Sequence, residues 1–189
     1  MRASSYRNSS DYHKSAAFNP PADVIALDGL ERGWAHIERA TRDGSDREAR
    51  FNLMSASMQG AMAFQKGLGC VHSLSHSLGG VDPRLHHGTL NAMFLPAVVR
   101  FNSGAESVQK TKRLDRMALA MGLQSGGDIA EAITDMNARL GLPTGLAAMG
   151  VERAWFDKII AGALADHCHG TNPRIASREE YEAMLGASM

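Results

Sequence analysis

The sequence predicts an all-α protein, a bundle of amphipathic helices, and three observations carry that expectation. Apolar residues recur three and four positions apart through most of the chain, the spacing that lines one face of a helix. Eleven methionines and abundant alanine suit packed helices. Aromatics make up 6% of the residues and β-branched runs are few, which argues against a sandwich or barrel.

Residues 1–17, MRASSYRNSSDYHKSAA, are polar and without periodicity, so they read as a poorly ordered leader, followed by one helical domain over 18–189. Order begins near Phe18-Asn19-Pro20-Pro21, where the prolines set extended geometry and can open a helix. Val24, Ile25, Leu27, Leu30, Trp34 and Ile37 then recur at helical spacing up to about Arg42, with Asp43-Gly44 as the stop. Ser45-Asp46-Arg47-Glu48 has capping-box spacing and predicts a second helix over about 46–65, in which Gly60 serves close packing. Gly67 and Gly69 mark a break before a histidine-bearing helix over about 70–78, ended by Gly79-Gly80.

A buried helix over 89–103 contains Pro96, and amphipathic segments follow at 113–122, 128–140 and 151–165. The last of these is read from the stripe Val151, Trp155, Ile159 and Ala163. Ser177-Arg178-Glu179-Glu180 is a second capping box, opening a short terminal helix. No GxGxxG, no GxxxxGK[ST] and no strand-helix alternation is present, so the sequence contains no nucleotide-binding domain.

Twenty Lys and Arg against twenty Asp and Glu give zero formal charge, so nothing points to nucleic acid or an anionic membrane as a partner. No apolar run reaches the roughly 18 residues of a spanning helix, and the start lacks a signal-peptide core. The expectation is a soluble cytoplasmic protein. Cys70 and Cys168 are too few for a disulfide framework and read as reduced thiols of the core or near a site.

Four of the eight histidines fall in GLGCVHSLSHSLGGVDPRLHHGTLNAMFL, residues 67–95. His72 and His76 are four apart, so on a helix they lie about 40° from each other and share a face. The loop over 81–85 can bring His86-His87 back over that face, and imidazole is the commonest side-chain ligand of borderline metals. Adjacent histidines do not both reach one ion easily, so one of His86 and His87 binds and its neighbour orients it or faces solvent. Without the glutamate of HExxH, three readings stay open: a divalent metal site, a catalytic histidine without metal, or hydrogen-bonded structural histidines. Asp82 beside Pro83 reads as a turn former. His167 and His169 read as helix-end caps, and His13 and His36 as solvated surface.

The runs GLGCVHSLSHSLGG and LHHGTLNAMFLPAVVRFN strongly resemble the histidine signature of the iron-containing (group III) alcohol dehydrogenases. FNPPADVIALDGL, DGSDREARFNLMSASMQGAMAF and ADHCHGTNPR resemble the same family in the same order, over about residues 17–180. The resemblance implies the helical C-terminal domain of dehydroquinate synthase-like and iron-type alcohol dehydrogenases. The chain then looks like a truncated or split member, without the N-terminal NAD(P)-binding domain.

By the same resemblance His72 is a ligand of Fe(2+) or Zn(2+), and the histidine directly before the glycine, His87, is the second, with His86 as the alternative. His76 is a catalytic, cleft-facing residue beside cofactor and substrate. The family's DxxxH pair should stand where this chain has Ser4 and Asn8, so half of the metal shell is missing, and Asp11 and His13 are spaced differently. The implied activity is metal-assisted NAD(P)-linked oxidation of a small alcohol or reduction of an aldehyde or ketone. This chain alone is not expected to perform it; an N-terminal NAD(P)-binding half, or a homo-oligomer, is the implied partner. Two other classes are weighed: a non-catalytic helical interaction protein or degenerate fragment, and a small zinc hydrolase built on His72, His76 and one of His86 and His87.

Overall fold

The computed structural model describes residues 19–189, so the expectations for the polar leader, Ser4, Asn8, Asp11 and His13 lie outside the described residues. The described residues form nine α-helices joined by loops and short 3-10 turns, with no strand among them. The order is α1 (Pro20–Arg42), α2 (Arg47–Ala63), α3 (Gly69–Val81), α4 (His87–Ser103), α5 (Glu106–Lys110), α6 (Arg113–Ala120), α7 (Ile129–Arg139), α8 (Phe156–Ala165) and α9 (Arg178–Ala187). No described helix is long and apolar enough to cross a membrane.

Helices α1 and α2 form a tight pair. Asn19 caps α1 by accepting from the Ala22 N–H at 3.3 Å, ahead of prolines at the first helical positions. Arg32 donates to Asp28 at 2.8 Å and to Asn52 of α2 at 3.0 Å, and Gln59 of α2 also reaches Asp28. Close approach is allowed by Gly29, where a Cβ would stand 3.1 Å from the Gln59 Cβ. Gly60, expected to serve packing, instead faces open space. The outer face of α2 leaves Phe51, Met54, Met58 and Met62 each more than half exposed, a helical stripe that no other described element covers.

The main core lies between α3, α4, α8 and α9, where Leu74, Leu78, Phe94, Ile159, Ile160, Tyr181 and Leu185 are buried. A second cluster, Val99, Ala118, Met121, Ile129 and Ile133, takes Leu30 and Trp34 of α1 against it. Pro96 sits inside α4 and lacks the N–H that would bond the Ala92 carbonyl one turn back. Asn137 of α7 fills that gap, its Nδ2 donating to the Ala92 oxygen at 2.9 Å. A helix defect thus becomes a tie between two helices.

Three local expectations are corrected. Ser45 does not cap α2: it donates through N–H and hydroxyl to Asp43, and Asp46 takes the cap by accepting from the Ala49 N–H at 3.0 Å. Asp46 and Glu48 instead share Arg39 of α1. Gly79-Gly80 does not end α3, which runs to Val81 because packing of Leu74 and Leu78 outweighs the glycine cost of about 1 kcal/mol each. The helix expected from Val151 starts only at Phe156, because Glu152 takes extended backbone (φ −110°, ψ 146°) and a 3-10 turn Arg153–Trp155 intervenes. The Ser177 capping box forms as expected, with both reciprocal bonds to Glu180.

Candidate metal centre

Helix α3 carries His72 and His76, and its start has no cap of its own. The free amides are satisfied from far along the chain: Thr171 Oγ1 accepts from the Gly69 N–H at 3.4 Å, and Asn172 Oδ1 from the Cys70 N–H at 3.1 Å. Gly67 and Gly69, both at positive φ, are required there. A Cβ on Gly67 would stand 2.1 Å from the Thr171 Cβ, and one on Gly69 would stand 2.5 Å from Asn172 Oδ1. The far end of α3 is set by Gly162 of α8, which leaves room for Ser77 to donate to the Ile159 carbonyl at 2.7 Å.

Beyond α3 the chain turns on Asp82, whose carboxylate accepts from the Arg84 N–H at 3.1 Å and its guanidinium at 2.7 Å. The Arg84 contacts hold the Asp82 carboxyl at about 2, and this aspartate forms the turn. His86 is the N-cap of α4, its Nδ1 accepting from the Thr89 N–H at 3.3 Å, and His87 is the first helical residue. The two neighbours therefore part. His87 turns toward α3, with its ring centroid 5.4 Å from those of both His72 and His76, which are themselves 5.6 Å apart.

A residue outside the expected set completes this group. Asn91 lies one turn after His87, and its Nδ2 stands 3.1 Å from His87 Nε2 and 3.5 Å from His72 Nε2. Two imidazole lone pairs from different helices thus converge on one partly positive amide nitrogen, while Asn91 Oδ1 is buried without a hydrogen-bond partner. A divalent cation satisfies the same pair of lone pairs, so the donor set fits such an ion. Burial, reinforced by the neighbouring His76 and His87, pushes His72 below its ordinary value and keeps it in the neutral, ligating form.

His76 is held from the other side. Its Nδ1 is 3.0 Å from Asp166 Oδ2, and Asp166 Oδ1 accepts from the Cys168 N–H at 2.7 Å. Burial works to raise the Asp166 carboxyl, but the Cys168 N–H and His76 outweigh it and hold it below the usual range. Both Cys70 and Cys168 are free thiols pushed up to about 11 by burial, so neither is poised as a nucleophile.

His167 is exposed beside His76, with ring centroids 6.0 Å apart, and His169 bonds the buried Tyr181 hydroxyl at 3.0 Å. His36 stays on α1, its Nδ1 2.9 Å from the Arg32 carbonyl. The structure therefore brings together His72, His76 and His87 and sets His86 apart. The sequence motifs do not single out Asn91 or Asp166, although Asn91 shares with His87 the i, i+4 spacing that relates His72 to His76.

A family model described as Fe-containing alcohol dehydrogenase family, C-terminal, matches residues 11–189. The chain is similar to a 4-hydroxybutyrate dehydrogenase of Cupriavidus necator, 68% identical over 177 residues that cover 92% of this chain and 46% of that protein. It is 32% identical over 175 residues to an NAD-dependent methanol dehydrogenase of Bacillus methanolicus, covering 88% of this chain and 45% of the relative. Among solved structures, an iron-containing alcohol dehydrogenase from Thermococcus thioreducens superposes with a TM-score of 0.79 at 27% identity, over 90% of this chain and 44% of that one. The chain spans about half the length of the curated relatives it matches.

Proposed function

The chain belongs to the iron-containing alcohol dehydrogenase family, whose C-terminal helical part it carries, and from that premise we propose that it is the metal-holding half of an NAD(P)-linked alcohol dehydrogenase. The carrying observation is the convergence of His72 Nε2 and His87 Nε2 on one point from α3 and α4. We assign these two nitrogens as protein ligands of Fe(2+), with Zn(2+) as the competing ion, and His76 as the catalytic residue of the cleft. His86 is left as the helix cap. When bound, the ion supplies Lewis acidity toward the alcohol oxygen.

The chain's own residues orient the site. Asn172 and Thr171 pin the start of α3, and Asp166 fixes the His76 ring so that Nε2 is the atom left to meet substrate. His72 forms the half-buried floor, and His87 lies on the exposed side, where substrate enters. The 68% identical relative supports a short primary alcohol bearing a carboxylate, of the 4-hydroxybutyrate type, as substrate. The NAD named for the methanol dehydrogenase relative supports a nicotinamide cofactor.

That cofactor requires a second half, because the chain has no Gly-rich turn after a strand to hold a pyrophosphate. The uncovered stripe Phe51, Met54, Met58 and Met62 supports a surface for that half or for another copy of the chain. Two buried, unpaired thiols fit a reducing compartment, the cytoplasm. A zinc hydrolase built on His72 and His76 is disfavoured by the family.

The test is to supply the N-terminal half of the Cupriavidus relative to the purified chain with Fe(2+), NAD⁺ and 4-hydroxybutyrate. The mixture is expected to form NADH, and the chain alone is expected to form none. Turnover by the chain alone overturns the need for a second half. Metal affinity unchanged by His72→Ala and His87→Ala overturns the ligand assignment.

A further inference from the structure

We propose that His76, Asp166 and Cys168 form a second metal site, one that takes a thiophilic divalent ion, zinc above iron(II). A His76 ring nitrogen, an Asp166 carboxylate oxygen and Cys168 Sγ all lie within 4.8 Å of one another. Ligand atoms on a tetrahedral zinc stand roughly 3.3–3.6 Å apart, given bonds of about 2.0–2.3 Å, so the longer edges of the triangle have to contract by up to roughly 1 Å as the ion binds. One edge is already short, with His76 Nδ1 3.0 Å from Asp166 Oδ2.

The three groups are held by different constraints. His76 rides on α3, whose start is pinned by Asn172. Asp166 is the C-cap of α8, its backbone N–H bonded to the Ala163 carbonyl and its Oδ1 held by the Cys168 N–H at 2.7 Å. Cys168 is buried, so the thiol cannot swing away into solvent. A fourth donor is at hand in His167, whose side chain is 83% exposed and whose Nε2 lies 3.4 Å from Cys168 Sγ. Two imidazoles, a carboxylate and a thiolate make a borderline-soft set that suits zinc.

Charge and protons balance simply. The ion replaces the thiol hydrogen of Cys168, which leaves as one proton to solvent, and takes the Nδ1 lone pair of neutral His76, whose proton then sits on Nε2. Burial and Asp166 push the free Cys168 thiol up to about 11, so without an ion it stays S–H. This site differs from the point on which His72 and His87 converge, because it uses no atom of those two residues. It stands independently of the dehydrogenase reading; only its coupling to the substrate cleft, through the shared His76 ring, rests on that reading.

The experiment is a Co(2+) titration of the purified chain, followed by its thiolate-to-cobalt charge-transfer absorbance, with Zn(2+) as displacing ion. The band is expected in the wild type, in Cys70→Ser and in the His72→Ala, His87→Ala double variant. It is expected to vanish in Cys168→Ser and to fall at least tenfold in apparent affinity in His76→Ala, with helical circular dichroism as the folding control. Should Cys168→Ser not fold, the affinity of His76→Ala decides. The proposal is overturned by an absent band in the wild type, by a band that survives Cys168→Ser, by an unchanged affinity in His76→Ala, or by a band lost in the His72, His87 double variant.

Discussion

Asn172 Oδ1 accepts from the Cys70 N–H at 3.1 Å although 102 residues separate the two in sequence. The same buried side chain exchanges hydrogen bonds with Asn102 of α4 and donates to the Arg174 carbonyl at 2.8 Å, so one amide ties α3, α4 and the segment before α9 together. Asn172→Ala leaves several of these groups buried and unpaired and is expected to cost about 2–4 kcal/mol. Urea unfolding measures the loss, and because His72 rides on the same helix, Fe(2+) or Zn(2+) affinity is expected to fall with it.

His86 and His87 are adjacent but separable. His87→Ala is expected to weaken metal binding at least tenfold, while His86→Ala leaves affinity near wild type and costs stability within about 1 kcal/mol, the value of a helix cap. Equilibrium dialysis of each variant discriminates them; equal loss in both would reverse the assignment to His87.

Metal-free chain is expected to lose stability as pH falls below His72's ordinary value of 6.5. The sign follows from linkage. His72 is depressed in the fold, so between its folded and unfolded values the unfolded chain binds more protons, and stability rises with pH. That contribution is fully present above 6.5 and drains away as pH drops through the folded value. His72→Gln is expected to flatten this part of a urea-midpoint profile recorded in the presence of EDTA.

Asn137→Ala is expected to cost about 1–2 kcal/mol, because Pro96 lacks the N–H that would otherwise bond the Ala92 carbonyl Asn137 now serves. In a Pro96→Ala background the helix supplies its own N–H, and the same substitution should cost less than half as much. Additive losses in this double-mutant cycle would refute the pairing.

Most helices were legible because their apolar spacing reports burial directly, as with Leu74 and Leu78 or Ile159 and Ala163. Errors fell where two local signals compete. Ser45 and Asp46 are both good caps, and the tertiary contact of Asp46 with Arg39 and the pairing of Ser45 with Asp43 favour Asp46. Gly79-Gly80 reads as a stop, but a glycine pair at a helix end yields to the packing on either side. Around the candidate site, helical spacing places His72 and His76 on one face, whereas the preference for His87 over His86 comes from the family's signature and not from spacing. Asp166 was not legible, because 90 residues separate it from His76 and no periodicity links an end cap on α8 to a face on α3. Gly67 and Gly69 were legible as a break, yet their purpose, space for Thr171 and Asn172, exists only in three dimensions.

The thioethers of Met54, Met58 and Met62 on the open face of α2 make the chain its own footprinting reagent. Exposed methionine is readily converted to the sulfoxide, a gain of one oxygen that mass spectrometry counts site by site. Brief peroxide treatment should therefore label this face first, and buried Met93 and Met184 last. Any protein that covers α2 would leave its outline as a set of methionines that no longer react.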